Sequence, residues 1–146
     1  MVDKPEDLGK VRVLVYGTLK TNGANAPLMK KIHATFMGFD EVKGPFKMLD
    51  LGPFPAVVYD KNINRTVRGE MYMMNEEALA HIDFLEGHPH FFKRSKEWTT
   101  GEDRRRVWLY TLQDSTGIDT SRYNELQMWE PCEEEINHWL DSDIPF

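Results

Sequence analysis

The sequence predicts an α+β domain: a small, mixed and curled β-sheet or barrel with flanking helices. Three observations lead there. Strand-like runs outnumber helix-like ones, only two connections carry long helical patterns, and no repeat, low-complexity tract or Pro- or Gly/Ser-rich linker divides the 146 residues. A doubly wound parallel sheet needs a helix after nearly every strand, so the scarcity of helices argues against it. One domain over residues 1–146 follows, with a core at about residues 11–111 and a helical carboxy-terminal extension at about residues 121–146.

Each element has its own signal. Val11-Arg12-Val13-Leu14-Val15-Tyr16 is β-branched and nearly continuous in apolar character, as in a central strand buried on both faces, and Gly17 ends it. Asn25 before Ala26-Pro27-Leu28-Met29 marks a helix start, with an N-cap side chain and a proline in the first turn, where a missing N–H costs nothing. That helix is expected to run to about His33. From Ala34 to Tyr59 the chain breaks into two or three short strands, punctuated by Gly38, Gly44-Pro45 and Gly52-Pro53-Phe54-Pro55. Ala56-Val57-Val58-Tyr59 is expected to pair with the alternating stretch Thr66 to Met73 across a turn at Asp60 to Asn64, giving a hairpin over residues 56–73.

Asn75 then caps a helix over about residues 76–86. Glu76 and Glu77 suit its positive end, Leu79, Ile82 and Leu85 recur at helical spacing, and Gly87 stops it. Trp98-Thr99 and Val107 to Thr111 read as a second hairpin that turns at Gly101-Glu102-Asp103, and its strand at residues 106–112 is apolar enough to lie inside the sheet. Cys132, Ile136, Trp139 and Leu140 give residues 131–140 the apolar face of a terminal helix.

Composition narrows the function classes. A chain of this length buries about 70% of its unfolded surface and needs no disulfide or metal staple. Cys132 is the sole cysteine, which rules out an intrachain disulfide and points to a reducing, cytoplasmic setting. The opening MVDKPEDLGK is charged and proline-broken, and the apolar run Val11 to Val15 contains Arg12 and is too short for a signal core or a membrane span. With 24 acidic and 18 basic residues the net charge is -6, which argues against nucleic-acid binding. The local basic group of Lys93, Arg94, Lys96 and Arg104-Arg105-Arg106 lies beside Glu102 and Asp103 and suits a solvated edge strand better than a phosphate patch.

Three features carry candidate chemistry. In Tyr16-Gly17-Thr18-Leu19-Lys20 a strand runs straight into a glycine and a short loop. Such a turn lets backbone N–H groups approach a carboxylate closely, and it serves equally as a tight exit from a core strand. Glu86 stands in the last turn of the second helix, where the helix dipole and Asp83, three residues earlier, both disfavour its charged form. In a dry site that makes it a proton carrier near neutral pH; in water it is an ordinary helix-end glutamate. The third feature is the pair of possible metal sites at His88-Pro89-His90 and Glu135-x-x-His138, but the first lacks a third ligand and the second lacks its repeat, so no metal is assigned.

Several of these stretches together resemble the gamma-glutamylcyclotransferase-like family, most closely its gamma-glutamylamine cyclotransferase branch. The resemblance covers about residues 11–111. Val13-Leu14-Val15-Tyr16-Gly17-Thr18-Leu19-Lys20 is similar to the family's strand and signature loop, and Asn25 falls where its members place an asparagine. Pro55-Ala56-Val57-Val58 follows, then Val67-Arg68-Gly69-Glu70-Met71-Tyr72, then Leu79-x-x-Ile82-Asp83-x-x-Glu86-Gly87 with Phe92-Lys93-Arg94. The departures are Phe91 and Phe92, where many members carry a tyrosine before the arginine, and the carboxy-terminal helix, which has no counterpart.

The resemblance implies a small mixed β-barrel and a cofactor-free enzyme of transferase or lyase type. Its substrate would be a gamma-glutamyl amine or peptide, cyclised to 5-oxoproline with release of the amine. Carried over to matching positions, it makes Glu86 the acid/base and Tyr16, Gly17, Thr18, Leu19 and Asn25 the residues that bind the glutamyl group. The expected partner is that small molecule, with no nucleic acid or membrane, on a monomer or weak dimer. A non-catalytic small-metabolite binder on the same fold, or an interaction protein using Trp129 and Trp139, is the competing expectation.

Overall fold

A computed structural model describes residues 9–126. The elements run β1 (Lys10–Val15), α1 (Ala26–Lys31), β2 (Thr35–Gly44), β3 (Phe46–Asp50), β4 (Pro55–Tyr59), β5 (Arg65–Asn75), α2 (Glu76–Glu86), β6 (Phe92–Trp98), β7 (Arg106–Leu112) and β8 (Glu125–Leu126). Strands dominate, as the sequence predicts, and they form a five-stranded sheet in the order β2-β5-β1-β7-β6 and a three-stranded one in the order β4-β3-β8. The larger sheet is mixed: β1 runs parallel to β7, while its other pairings are antiparallel.

β1 sits at the centre, and the reason lies in its alternation. Val13 and Val15 pack into one buried cluster with Leu79 and Ile82 of α2, and Leu14 and Tyr16 pack into another with Val42, Val57 and Val67. A strand with a core on each face has no polar side to show, hence the near-continuous apolar run. The expected hairpin around residues 98–111 forms from β6 and β7, with Trp98 opposite Arg106 and Phe92 opposite Leu112.

Three expectations need correction. The sheet curls without closing into a barrel. Beyond β6 the chain turns back through Thr99, whose N–H bonds Arg105 O at 2.8 Å, and the far edges touch through the bridge Val42–Thr99 and the bonds from Thr100 N–H to Glu41 O and from Thr100 Oγ1 to Glu41 Oε1 without a continuous ladder. Nor do residues 56–73 make a hairpin. β4 pairs with β3, Met48 opposite Val57, whereas β5 pairs with β1 and β2. Both strands were legible from their β-branched alternation, but alternation does not name a partner. The turn between them is pinned elsewhere, by Asp60 N–H on Pro45 O at 2.8 Å.

The third correction concerns α1, which ends at Lys31, with His33 in the left-handed region at φ 59°. Its N-cap residue is Asn25, but that side chain makes no capping bond. By contrast α2 matches its expected bounds. Asn75 Oδ1 accepts from Ala78 N–H at 2.8 Å, and Gly87 closes the helix at φ 67°. The expected helix at residues 131–140, with Trp129, Glu135 and His138 of the other readings, lies outside the described residues.

Candidate active site

The carboxyl end of β1 and the last turn of α2 converge on one small cavity. Tyr16, Gly17, Thr18 and Leu19 line it together with Glu86, and Pro55, Phe92 and Tyr110 complete the wall. Two features far apart in the chain thus face one space. Its open volume is about 30 Å³, close to one water molecule's share of the liquid.

The loop has backbone donors to spare beside that space. The N–H groups of Gly17, Thr18 and Leu19 make no hydrogen bond to other described residues. Its shape is enforced from three directions. Lys20 N–H bonds Gly17 O at 3.0 Å, Asn25 N–H bonds Thr18 O at 2.8 Å, and Asn25 Nδ2 donates to Thr18 Oγ1 at 2.9 Å. Asn25 therefore braces the loop and is not among the residues that line the cavity. Gly23 is indispensable here, because a Cβ on it would fall 2.1 Å from Thr18 O. On the far side, the buried carboxylate of Glu70 accepts from Thr21 N–H at 2.7 Å and Thr21 Oγ1 at 2.9 Å.

Tyr16 lines the cavity and also braces the fold. Its hydroxyl donates to Tyr110 O at 2.7 Å and accepts from Val57 N–H at 3.1 Å, so it ties β1, β4 and β7 together. Burial raises the pKa of this phenol well above its ordinary value, and Glu86 adds to the shift.

Glu86 is partly exposed toward the cavity mouth, yet its carboxyl stands among Leu19, Pro55 and Phe92. Desolvation pushes its pKa from 4.5 up to about 8, and the negative charge of Asp83 adds to the shift. Dryness, which the sequence could offer only as a condition beside the helix end and Asp83, is thus the leading cause. Asp83 is held by Arg94, Nε at 2.8 Å and Nη2 at 3.1 Å, and by the Tyr110 hydroxyl at 2.6 Å. Tyr110 also lines the cavity. It brings a phenol hydroxyl from β7, although Phe92 has none.

Tyr110, Pro55 and the clamping role of Arg94 and Glu70 went unassigned in the sequence. Arg94 and Tyr110 are register partners on β6 and β7, a relation visible only once the strands are paired. Among the described residues, no group of three His, Cys, Asp or Glu side chains stands close enough to hold a metal ion. The basic run expected at a solvated edge stacks on tryptophan, with Arg104 and Arg106 over Trp98 and Lys96 over Trp108.

A curled mixed sheet with one desolvated carboxyl and a glycine-containing loop lining the same small cavity defines the class: an α+β domain with a small-molecule-sized pocket. The family model described as gamma-glutamyl cyclotransferase, AIG2-like, matches residues 13–131, and the chain belongs to that family. It is a gamma-glutamylcyclotransferase-like enzyme. Two relatives carry the name "Putative gamma-glutamylcyclotransferase". One, from Methanocaldococcus jannaschii, is 34% identical over 109 residues, covering 73% of this chain and 88% of the relative. The other, from Vibrio cholerae, is 31% identical over 103 residues, covering 70% and 83%. The crystal structure of a mouse AIG2-like protein shares the fold, with a TM-score of 0.72 at 21% identity over 83% of this chain and 88% of that one.

Proposed function

We propose that the protein converts a gamma-glutamyl amine or gamma-glutamyl peptide to 5-oxoproline and the free amine, with Glu86 as acid/base. The observation that carries this reading is the raised-pKa carboxyl of Glu86 in the same cavity as the Tyr16 to Leu19 loop. The substrate supplies its own nucleophile. Its α-amine nitrogen attacks the γ-carbonyl carbon, a new C–N bond closes the ring, and the bond from that carbon to the leaving nitrogen breaks. Tethering makes the attack effectively unimolecular, so the enzyme has only to hold the folded conformer and move one proton.

Glu86 accepts that proton from the attacking nitrogen and returns it to the leaving nitrogen, ending as it began. A carboxyl that titrates near the working pH is suited to both halves of this task. The N–H groups of Gly17, Thr18 and Leu19 supply donors for the oxyanion or the α-carboxylate. Neither a metal nor a cofactor enters any step. The cavity's small volume leaves the departing amine in the mouth, so the leaving group is bounded less tightly than the glutamyl end.

The same proposal puts the enzyme in the cytoplasm, as a monomer or weak dimer acting on a free small molecule. Glu86→Gln tests the chemistry: incubated with a panel of gamma-glutamyl amines and dipeptides, it should lose about 100- to 10,000-fold in turnover, with little change in KM. Wild-type turnover by this variant would remove Glu86 from the mechanism. No 5-oxoproline from any substrate with the wild type would favour the binding protein instead.

A further inference from the structure

Two carboxylates share the last turns of α2, and their surroundings treat them oppositely. Asp83 accepts three hydrogen bonds from two other elements, two from Arg94 on β6 and one from Tyr110 on β7. The ion pair is largely buried, with only 20% and 18% of the two side chains exposed. Arg94 is fixed in turn, its Cζ 4.2 Å from the Trp108 ring centroid and its N–H on His88 Nδ1 at 3.3 Å. Glu86, three residues on, has no comparable hold among the described residues.

We propose that Asp83 is a positioning residue for Glu86. Clamped by Arg94 and Tyr110, it fixes the carboxyl end of α2 against the β6–β7 hairpin and holds its negative charge one helical turn from Glu86. The inference rests on Glu86 as the acid/base. A two-point guanidinium fork and a short phenol bond hold the Asp83 carboxylate in one place. Residues three apart on a helix are near neighbours, so its charge acts on Glu86 through poorly solvated surroundings. The other titratable or charged groups around Glu86 are Tyr16 on β1, Tyr110 on β7, Arg94 on β6 and His88 beyond α2. None of these is an anion.

The test is the pH profile of kcat/KM on whichever gamma-glutamyl amine the wild type turns over fastest, for Asp83→Asn and for the double variant Asp83→Asn with Arg94→Gln. The double variant leaves no orphaned cation, so it retains the fold if the single one does not. The acid limb should move down by about one pH unit in both. A third variant, Arg94→Lys, keeps the cation but loses the fork; its limb should stay in place while kcat falls about tenfold at unchanged KM. An unmoved limb in the Asp83 variants, or wild-type kcat in Arg94→Lys, overturns the positioning role. Full activity of Glu86→Gln would instead overturn the reading of Glu86 on which it rests.

Discussion

Replacing Glu86 with glutamine should make the protein more stable at alkaline pH, an effect that needs no substrate to observe. In the folded state the carboxyl binds its proton more tightly than in the unfolded chain, with a pKa of about 8 against 4.5. Since the folded value is the higher one, the contribution to stability is fully present below pH 4.5, declines above it and is gone once the pH passes about 8. Each pH unit across that window is worth about 1.4 kcal/mol, which sets a ceiling of about 5 kcal/mol. Water at the cavity mouth screens a partly exposed group, so about 1–2 kcal/mol is the working figure. Glutamine is nearly isosteric with the protonated acid and has no charge to desolvate. The two proteins should therefore unfold alike at pH 5, with the variant ahead by about 3–8 °C at pH 9. Urea or thermal unfolding across pH 5–9, followed by circular dichroism, reads the difference directly. A stability gap that does not change between the two ends of the range would refute a desolvated, raised-pKa carboxyl at this position.

Two further outcomes follow from the loop. Gly23→Ala sets a methyl group against Thr18 O, where the ideal Cβ would lie 2.1 Å away; the turn must shift, at a cost of about 1–3 kcal/mol, and steady-state kinetics should show kcat/KM down by at least tenfold, unmodified kinetics being the contrary result. Tyr16→Phe deprives Val57 N–H and Tyr110 O of their buried partner and should lower unfolding stability by about 1–3 kcal/mol with KM little changed. If instead stability held and KM rose sharply, the hydroxyl would belong to the substrate.

The parts of this protein that were legible in the sequence are those fixed by local rules. α2 declared both ends, since Asn75 has a side-chain acceptor for Ala78 N–H and Gly87 accepts the left-handed conformation that stops a helix. β1 declared its central place because an apolar run without a polar face needs a core on both sides. Pairing was not legible in the same way. β4 and β5 each alternate convincingly, yet they lie in different sheets, and only the long-range contacts of Val57 with Met48 and of Met71 with Leu14 decide it. The site follows the same division. Loop and glutamate could be read from motif and helix position, but their meeting in one cavity, and the hydroxyl of Tyr110 beside them, depend on how β7 is laid against β1.

The division of labour between Asp83 and Glu86 explains why a raised pKa survives in this fold at all. A lone carboxyl in a dry cavity can escape by turning its side chain toward water or by recruiting a cation such as Arg94. Asp83 occupies that cation with a bidentate bond and takes the Tyr110 hydroxyl as well. Glu86 is left with the loop, an apolar wall and a like charge one turn away. Two acids in one stretch of helix thus have opposite surroundings, one held by a bidentate guanidinium and a phenol, the other desolvated. The sequence singles out Glu86 by motif and helix position, whereas the hold of Arg94 and Tyr110 on Asp83 depends on the register of β6 against β7.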